Sequence, residues 1–203
     1  MLMIYLLGPL LTRSCLSVTS LKTSKTQPLR MFSNFIKMGH SSSTDALVGK
    51  TIPDDVLNEQ LLTEKNDHTS LRSILLALPE SYKGIVVFLF PAVGTPYCTK
   101  QACKFSSSTS EFKRLGYEVF GLTRIPGGSV EDWTKTNRLN YTILLDRTWK
   151  LIKYLDCTWM HFLVNRSHVI IGRNAKILAL ERGVNAETSA DRALELVKSL
   201  PLN

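Results

Sequence analysis

The sequence predicts one α/β domain in which a mixed β-sheet is flanked by helices. Two observations support this prediction. After Asp45, short apolar runs rich in β-branched residues alternate with helical patterns, which is typical of partly parallel sheets. Near the C-terminus two strand-like runs are separated by only a few residues, which indicates a hairpin. The chain has 203 residues, of which 44% are apolar and 21% charged, enough for one domain with its own core.

The strongest strand signal is the continuous apolar run at residues 84–90, which predicts a central strand buried on both faces. Further strands are predicted at residues 117–123, 141–145, 168–171 and 176–180. The last two flank a turn at residues 172–175, so they form the expected hairpin.

Three helices are predicted from capping signals and periodicity. Ser70 is a candidate N-cap for a helix that continues to Leu78, and Ser129 with Asp132 matches a capping box. Residues 186–200 form an amphipathic pattern that stops at Pro201. Strands, helices and the hairpin in this order are the layout of a thioredoxin-like domain at residues 45–203.

Residues 1–44 differ in composition from the rest of the chain. They contain five Lys or Arg, no acid and thirteen Ser or Thr, which is typical of a mitochondrial transit peptide. Two alternatives stay open: a disordered tail on a protein of the cytoplasm or nucleus, and a secretory signal based on the apolar run 1–11. We treat this segment as a leader outside the domain.

The remaining composition excludes several function classes. Of the net charge of +8, only +3 belongs to residues 45–203, so nucleic-acid binding is not expected. No apolar run approaches 18 residues, so no membrane span is expected. Four cysteines are too few for a disulfide scaffold, and their spacing to histidines predicts no metal site. Cys157 has no motif around it and is interpreted as a core or surface thiol.

The segment most informative about chemistry is residues 90–103. A buried strand leads into a loop rich in Gly and Pro, and a helix is predicted to begin around Cys98. A thiol there meets free backbone N–H groups and the positive end of the helix dipole, which both favour the reactive thiolate. Thr95 can direct its hydroxyl towards the sulfur or an incoming oxygen, and Pro91 stiffens the loop.

The spacing Pro91-x-x-x-Thr95-x-x-Cys98 resembles the active-site signature of peroxiredoxins. The run from Thr95 to Cys103 is similar to the peroxiredoxin Q branch, also called bacterioferritin comigratory protein. The sequence Arg166-Ser-His168 resembles the fungal nuclear thiol peroxidase. The likeness covers roughly residues 46–200, although a Tyr at position 97 stands where the family usually has Gly.

The resemblance implies a role for each matching residue. Cys98 would be the peroxidatic cysteine and Cys103 the resolving cysteine. Arg166 would stabilise the Cys98 thiolate and polarise the peroxide, with Thr95 as a hydrogen-bond partner and Pro91 as a shield. A fixed guanidinium beside the sulfur meets these requirements physically.

The implied function is an atypical two-cysteine peroxiredoxin that needs no cofactor. Peroxide would oxidise Cys98 to a sulfenic acid, Cys103 would close a disulfide with it, and thioredoxin would reduce that disulfide. We expect a monomer, since both cysteines lie in one chain. The alternative is a non-enzymatic redox sensor or partner-binding protein switched by oxidation of Cys98. A thiol–disulfide oxidoreductase is disfavoured because no CxxC pair begins the helix.

The five-residue spacing of the two cysteines makes a mechanical prediction. On an α-helix their Cα atoms lie about 8–9 Å apart, whereas a disulfide requires about 7 Å or less. The first turns of the helix must therefore unwind before Cys98 and Cys103 can bond.

Overall fold

The computed structural model describes residues 45–124, 128–160 and 162–201. The proposed leader, residues 1–44, lies outside the described residues. The helices are α1 (Asp54–Leu57), α2 (Leu71–Ala77), α3 (Pro96–Arg114), α4 (Val130–Thr136), α5 (Lys150–Tyr154) and α6 (Ser189–Ser199). The strands are β1 (Leu61–Thr63), β2 (His68–Thr69), β3 (Gly84–Leu89), β4 (Tyr117–Thr123), β5 (Thr142–Leu145), β6 (Thr158–Trp159), β7 (Leu163–Val164), β8 (Ser167–Gly172) and β9 (Ile177–Arg182).

Seven strands form one sheet in the order β2-β1-β5-β4-β3-β8-β9. Strand β3 pairs in parallel with β4 and antiparallel with β8, and β4 pairs in parallel with β5. Strands β8 and β9 form the predicted antiparallel hairpin. The mixed sheet predicted from the sequence is confirmed, and β6 and β7 pair separately.

Strand β3 divides the core into two layers because successive side chains point to opposite faces of the sheet. Ile85, Val87 and Leu89 pack on the side of α1, α2 and α5. Val86 and Phe88 pack on the side of α3, α4 and α6. All six residues of β3 are buried, as expected for a central strand with helices on both faces.

Stacked aromatic rings fix α3 to the sheet. The rings of Phe88 and Phe105 lie parallel with centroids 4.3 Å apart, and Phe105 stacks in turn on Phe112. All three side chains are fully buried, and burial of each stabilises the fold by roughly 1.5–3 kcal/mol. The half of α3 that follows Phe105 is therefore anchored in the core.

Two predicted caps are confirmed, α3 begins two residues before Cys98, and α6 begins three residues later than predicted. The Ser70 and Ser129 side chains accept hydrogen bonds from backbone N–H groups three residues ahead. Helix α3 begins at Pro96 instead of Cys98, because proline suits the first helical position. Helix α6 begins at Ser189 instead of residue 186, because the Asn185 side chain accepts from the Glu187 N–H and holds a turn there.

No helix in the described residues is long and apolar enough to cross a membrane.

Candidate active site

The loop after β3 places Cys98 near the start of α3. The Phe90 N–H donates to the Leu122 carbonyl, so pairing with β4 extends one residue beyond the strand. Gly94 then adopts φ +81°, a left-handed conformation that glycine accepts without steric cost. The helix starts at Pro96, which makes Cys98 its third residue. At this position the thiol lies in the first turn, at the positive end of the helix dipole.

Cys98 is buried, whereas the three residues before it in the chain are exposed. Cys98 is a free thiol with 1% of its surface exposed. Thr95, Pro96 and Tyr97, which precede it, are all exposed. The Tyr97 side chain, at 68% exposure, is largely in solvent although it adjoins Cys98 in the chain.

Arg166 lies against this thiol because of the sheet register. It immediately precedes β8, whose first residue Ser167 pairs with Leu89 at the end of β3. The backbone carbonyl of Arg166 accepts from the Val184 N–H at 2.9 Å, which fixes the segment. Its Nη2 lies 3.4 Å from Cys98 Sγ and donates towards it. The predicted pair of thiol and guanidinium is thus in contact.

Gln101 is part of the site although the sequence analysis did not identify it. It lies three residues after Cys98, and therefore one helical turn further along the same face of α3. Its side chain is fully buried, and its Oε1 accepts from Arg166 Nη1. The available signal was a polar residue at helical spacing from Cys98, on a face otherwise formed by Ala102 and Phe105.

Thr95 and Pro91 lie in the loop between β3 and α3, and each makes a hydrogen bond there. The Thr95 hydroxyl donates to the Ala92 carbonyl at 3.4 Å instead of to the Cys98 sulfur. The Pro91 carbonyl accepts from the Thr123 hydroxyl at 3.3 Å, which ties the loop to the end of β4. Thr95 is also the N-cap residue of α3. The structure thus groups Cys98, Arg166 and Gln101, with Thr95 and Pro91 in the adjoining loop.

Cys103 lies in the same helix as Cys98 and is half-buried. Helix α3 is continuous from Pro96 to Arg114. The five-residue separation therefore corresponds to a rise of about 7.5 Å along the axis.

The other described free thiol, Cys157, lies in a different environment. It is fully buried, and its Sγ donates to the Leu155 carbonyl at 3.4 Å. Burial raises the pKa of the Cys157 thiol, which disfavours the reactive thiolate. Within the described ranges, no group of three His, Cys, Asp or Glu side chains is arranged to hold a metal ion.

The mixed sheet and a thiol at a helix N-terminus beside an arginine define a thioredoxin-like domain of the peroxiredoxin class. Residues 48–180 match the model of the AhpC/TSA family. The chain belongs to this family, and within it to the peroxiredoxin Q and bacterioferritin comigratory protein branch.

Individual relatives support this assignment. The chain is 44% identical over 124 residues to the chloroplastic peroxiredoxin Q of Gentiana triflora, covering 58% of this chain and 55% of the relative. The match to that of Sedum lineare is 33% identical and covers 58% of this chain and 65% of the relative. Peroxiredoxin bcp1 of Schizosaccharomyces pombe is 30% identical over 152 residues, covering 74% of this chain and 73% of the relative. The matches to the two chloroplastic relatives thus span less than two thirds of those proteins.

Solved structures share the fold. The peroxidoxin BcpB of Mycobacterium tuberculosis superposes with a TM-score of 0.65 at 23% identity, covering 76% of this chain and 98% of that one. A mutant of the PrxQ of Xylella fastidiosa gives 0.66 at 20% identity, covering 75% of this chain and 95% of that one. The predicted thioredoxin-like fold is confirmed.

Proposed function

We propose that this protein is a thiol peroxidase that reduces hydrogen peroxide and organic hydroperoxides through Cys98. The observation that carries the proposal is the contact of 3.4 Å between Arg166 Nη2 and Cys98 Sγ. A permanently charged guanidinium beside a thiol in the first turn of a helix favours the thiolate, which is the nucleophile. Membership of the peroxiredoxin family supports peroxide as the substrate.

The first chemical step transfers one oxygen to sulfur. The Cys98 thiolate attacks one peroxide oxygen, the S–O bond forms and the O–O bond breaks. Sulfur is oxidised to a sulfenic acid, and the leaving oxygen takes a proton to become water or an alcohol. Arg166 stabilises this step because its N–H groups face the region where negative charge passes from sulfur to oxygen.

The second step closes a disulfide. In the reduced protein the Cys103 thiolate attacks the Cys98 sulfenic sulfur, the S–S bond forms and the S–O bond breaks. The leaving hydroxide takes up a proton to become water. A dithiol then returns two electrons by exchange and regenerates both thiols. We propose thioredoxin as this dithiol. Because the disulfide forms within one chain, the protein would be an atypical two-cysteine peroxiredoxin.

Polar contacts hold the first half of α3, among them those of Gln101 with Arg166 and Ser189, whereas stacked aromatic rings hold the second half. Two further hydrogen bonds reach the first half from α4 and from the residue before β5: Trp133 Nε1 donates to the Thr99 hydroxyl at 3.1 Å, and the Tyr141 hydroxyl donates to the Ala102 carbonyl at 2.7 Å. Each contributes about 0.5–1.5 kcal/mol, which is less than the buried ring of Phe105 contributes.

We expect formation of the Cys98–Cys103 disulfide to unwind α3 from its start to Lys104 and to leave the helix after Phe105 intact. Amide hydrogen exchange, measured by mass spectrometry on the oxidised and reduced forms, should show faster exchange at residues 99–108, whose N–H groups bond to carbonyls of the unwound turns. Exchange at 109–114 should be unchanged. A disulfide-bonded form with unchanged exchange and unchanged helical circular dichroism would contradict the geometry.

The proposed function is tested by peroxide turnover. The reduced full chain is mixed with peroxide, thioredoxin, thioredoxin reductase and NADPH, and NADPH consumption is followed. Sustained turnover is expected, and its rate should depend on both peroxide and thioredoxin concentrations. A single oxidation of Cys98 without turnover, with glutaredoxin as well as thioredoxin, would favour the sensor alternative. No reaction of Cys98 with peroxide would overturn the proposal.

A further inference from the structure

A chain of buried polar side chains extends inward from Arg166. Its first step is the contact of Arg166 with the Gln101 Oε1 described above. Gln101 Nε2 donates to the Ser189 hydroxyl at 3.1 Å. The Ser189 hydroxyl lies 3.3 Å from Nδ1 of His168. Gln101, Ser189 and His168 each have none of their surface exposed.

Three separate elements supply this chain. Gln101 belongs to α3, Ser189 is the first residue of α6, and His168 lies in β8. His168 pairs with Phe88 in the sheet and shares its face with Ile170, which packs on the side of α3 and α6. Polar groups in such a core are costly unless they bond to one another, as these do. Each bond therefore helps to hold the next side chain in place.

The donors and acceptors fix the direction of the first two bonds, and the tautomer of His168 decides the direction of the third. Arginine has only donors, so the Gln101 oxygen faces it and the Gln101 amide NH₂ faces Ser189. The Ser189 oxygen accepts from that amide, and its own proton points to His168 Nδ1 in the tautomer that carries the ring proton on Nε2. We assign this tautomer because Nε2 is the nitrogen that faces the Glu181 carboxylate.

The outer end of the chain is a carboxylate. His168 Nε2 makes no well-aligned hydrogen bond but lies 3.3 Å from Glu181 Oε2. Glu181 also accepts from Arg192 Nη2 at 2.6 Å. Its contacts with His168 and Arg192 lower the Glu181 pKa to about 2, so it is charged at neutral pH and faces the protonated nitrogen.

We propose that His168 and Ser189 are positioning residues that hold the Gln101 amide, and through it the Arg166 guanidinium, against the Cys98 sulfur. Only the consequence of this positioning for peroxide reduction rests on the proposed function. Without the Ser189 hydroxyl or the His168 Nδ1 acceptor, the Gln101 amide loses its fixed orientation. Arg166 then loses the partner that holds Nη1, and its Nη2 is free to leave Cys98.

The two nitrogens of His168 allow a discriminating experiment. An Asn side chain reaches the position of Nδ1 and keeps an acceptor for Ser189, whereas a Gln side chain reaches the position of Nε2 and keeps the contact with Glu181. We therefore compare His168→Asn, His168→Gln and Ser189→Ala in the reduced full chain. Alkylation of Cys98 by iodoacetamide is followed on the Cys98 peptide by mass spectrometry, at neutral pH and at a pH where the thiol is fully ionised.

At neutral pH we expect Cys98 in His168→Asn to be alkylated at a rate within about threefold of the wild type. In His168→Gln and Ser189→Ala it should be about tenfold slower, because a smaller fraction of the thiol is then ionised. At high pH all four proteins should react alike, since access to the sulfur is unchanged. The rate of Cys98 oxidation by peroxide should follow the same order.

Two results would overturn the inference. One is alkylation of Cys98 at the wild-type rate in all variants. The other is an equal loss of alkylation rate in His168→Asn and His168→Gln that follows the loss of thermal stability. Ser189→Ala keeps the question decidable if a His168 variant does not fold. Alkylation does not require peroxidase activity. A wild type that consumes no peroxide, together with slow alkylation in His168→Gln and Ser189→Ala, would therefore reject the proposed function and retain this inference.

Discussion

Replacing Cys98 with serine is expected to abolish peroxide consumption, lowering the rate by at least roughly 10⁴-fold, as loss of a nucleophile does in other covalent enzymes. A serine hydroxyl stays protonated at neutral pH even beside Arg166, and its oxygen cannot take up a second oxygen as sulfur does. Stopped-flow mixing with hydrogen peroxide, with residual peroxide measured over time, gives the rate.

Cys157→Ser is the matched control because it makes the same atomic change at the other described free thiol. Cys157 is fully buried, its pKa is raised by burial, and its Sγ already donates to a backbone carbonyl. We expect this variant to keep turnover within about twofold of the wild type, since the thiol is protonated and inaccessible. Equal loss of activity in the two variants would contradict the assignment of Cys98 as the thiol that attacks peroxide.

Local sequence signals account for much of the fold. The apolar run of β3 predicts a strand buried on both faces, because a short apolar run rich in β-branched residues is typical of a central strand. Ser70 and Ser129 predict helix starts because the side chain of each accepts from a backbone N–H only three residues away. The place of Cys98 near a helix start is also predictable locally, since the strand, the loop and the start of the helix are contiguous in the sequence.

Short elements escaped prediction because they have little pattern of their own. Strand β1 has three residues and pairs with β5, whose partner residues lie far along the chain. Helix α5 follows Trp149, which adopts φ 69° and stacks beneath the Arg124 guanidinium at 4.7 Å. Neither β1 nor α5 can be predicted from its own residues, because tertiary contacts stabilise both elements.

The polar partners of the site also depend on distant contacts. Gln101 meets Arg166 and Ser189 across separations of 65 and 88 residues. Nothing in the run around Gln101 indicates these partners, and periodicity alone assigns it to the buried face of α3. The sequence thus predicts the nucleophile and its arginine by resemblance, while the side chains that hold the arginine are found only in the folded chain.

Replacing Arg166 with alanine is expected to slow the oxidation of Cys98 by peroxide by about 10²–10³-fold, which is typical for loss of one stabilising donor at a reacting centre. The guanidinium contacts the sulfur through Nη2 and Gln101 through Nη1, so both bonds are lost together. Arg166→Lys should be intermediate, because an ammonium group keeps the charge but cannot contact both partners in the same fork geometry.

The matched control is Arg173→Ala, which removes an exposed arginine bonded to the Pro79 carbonyl. Its rate should equal that of the wild type. Comparing peroxide oxidation with iodoacetamide alkylation of Cys98 then separates two roles of Arg166. A larger loss towards peroxide than towards iodoacetamide means that the guanidinium also stabilises the breaking O–O bond, as we expect. Equal losses would confine it to stabilising the thiolate, and wild-type rates with both reagents would make its contact with Cys98 purely structural.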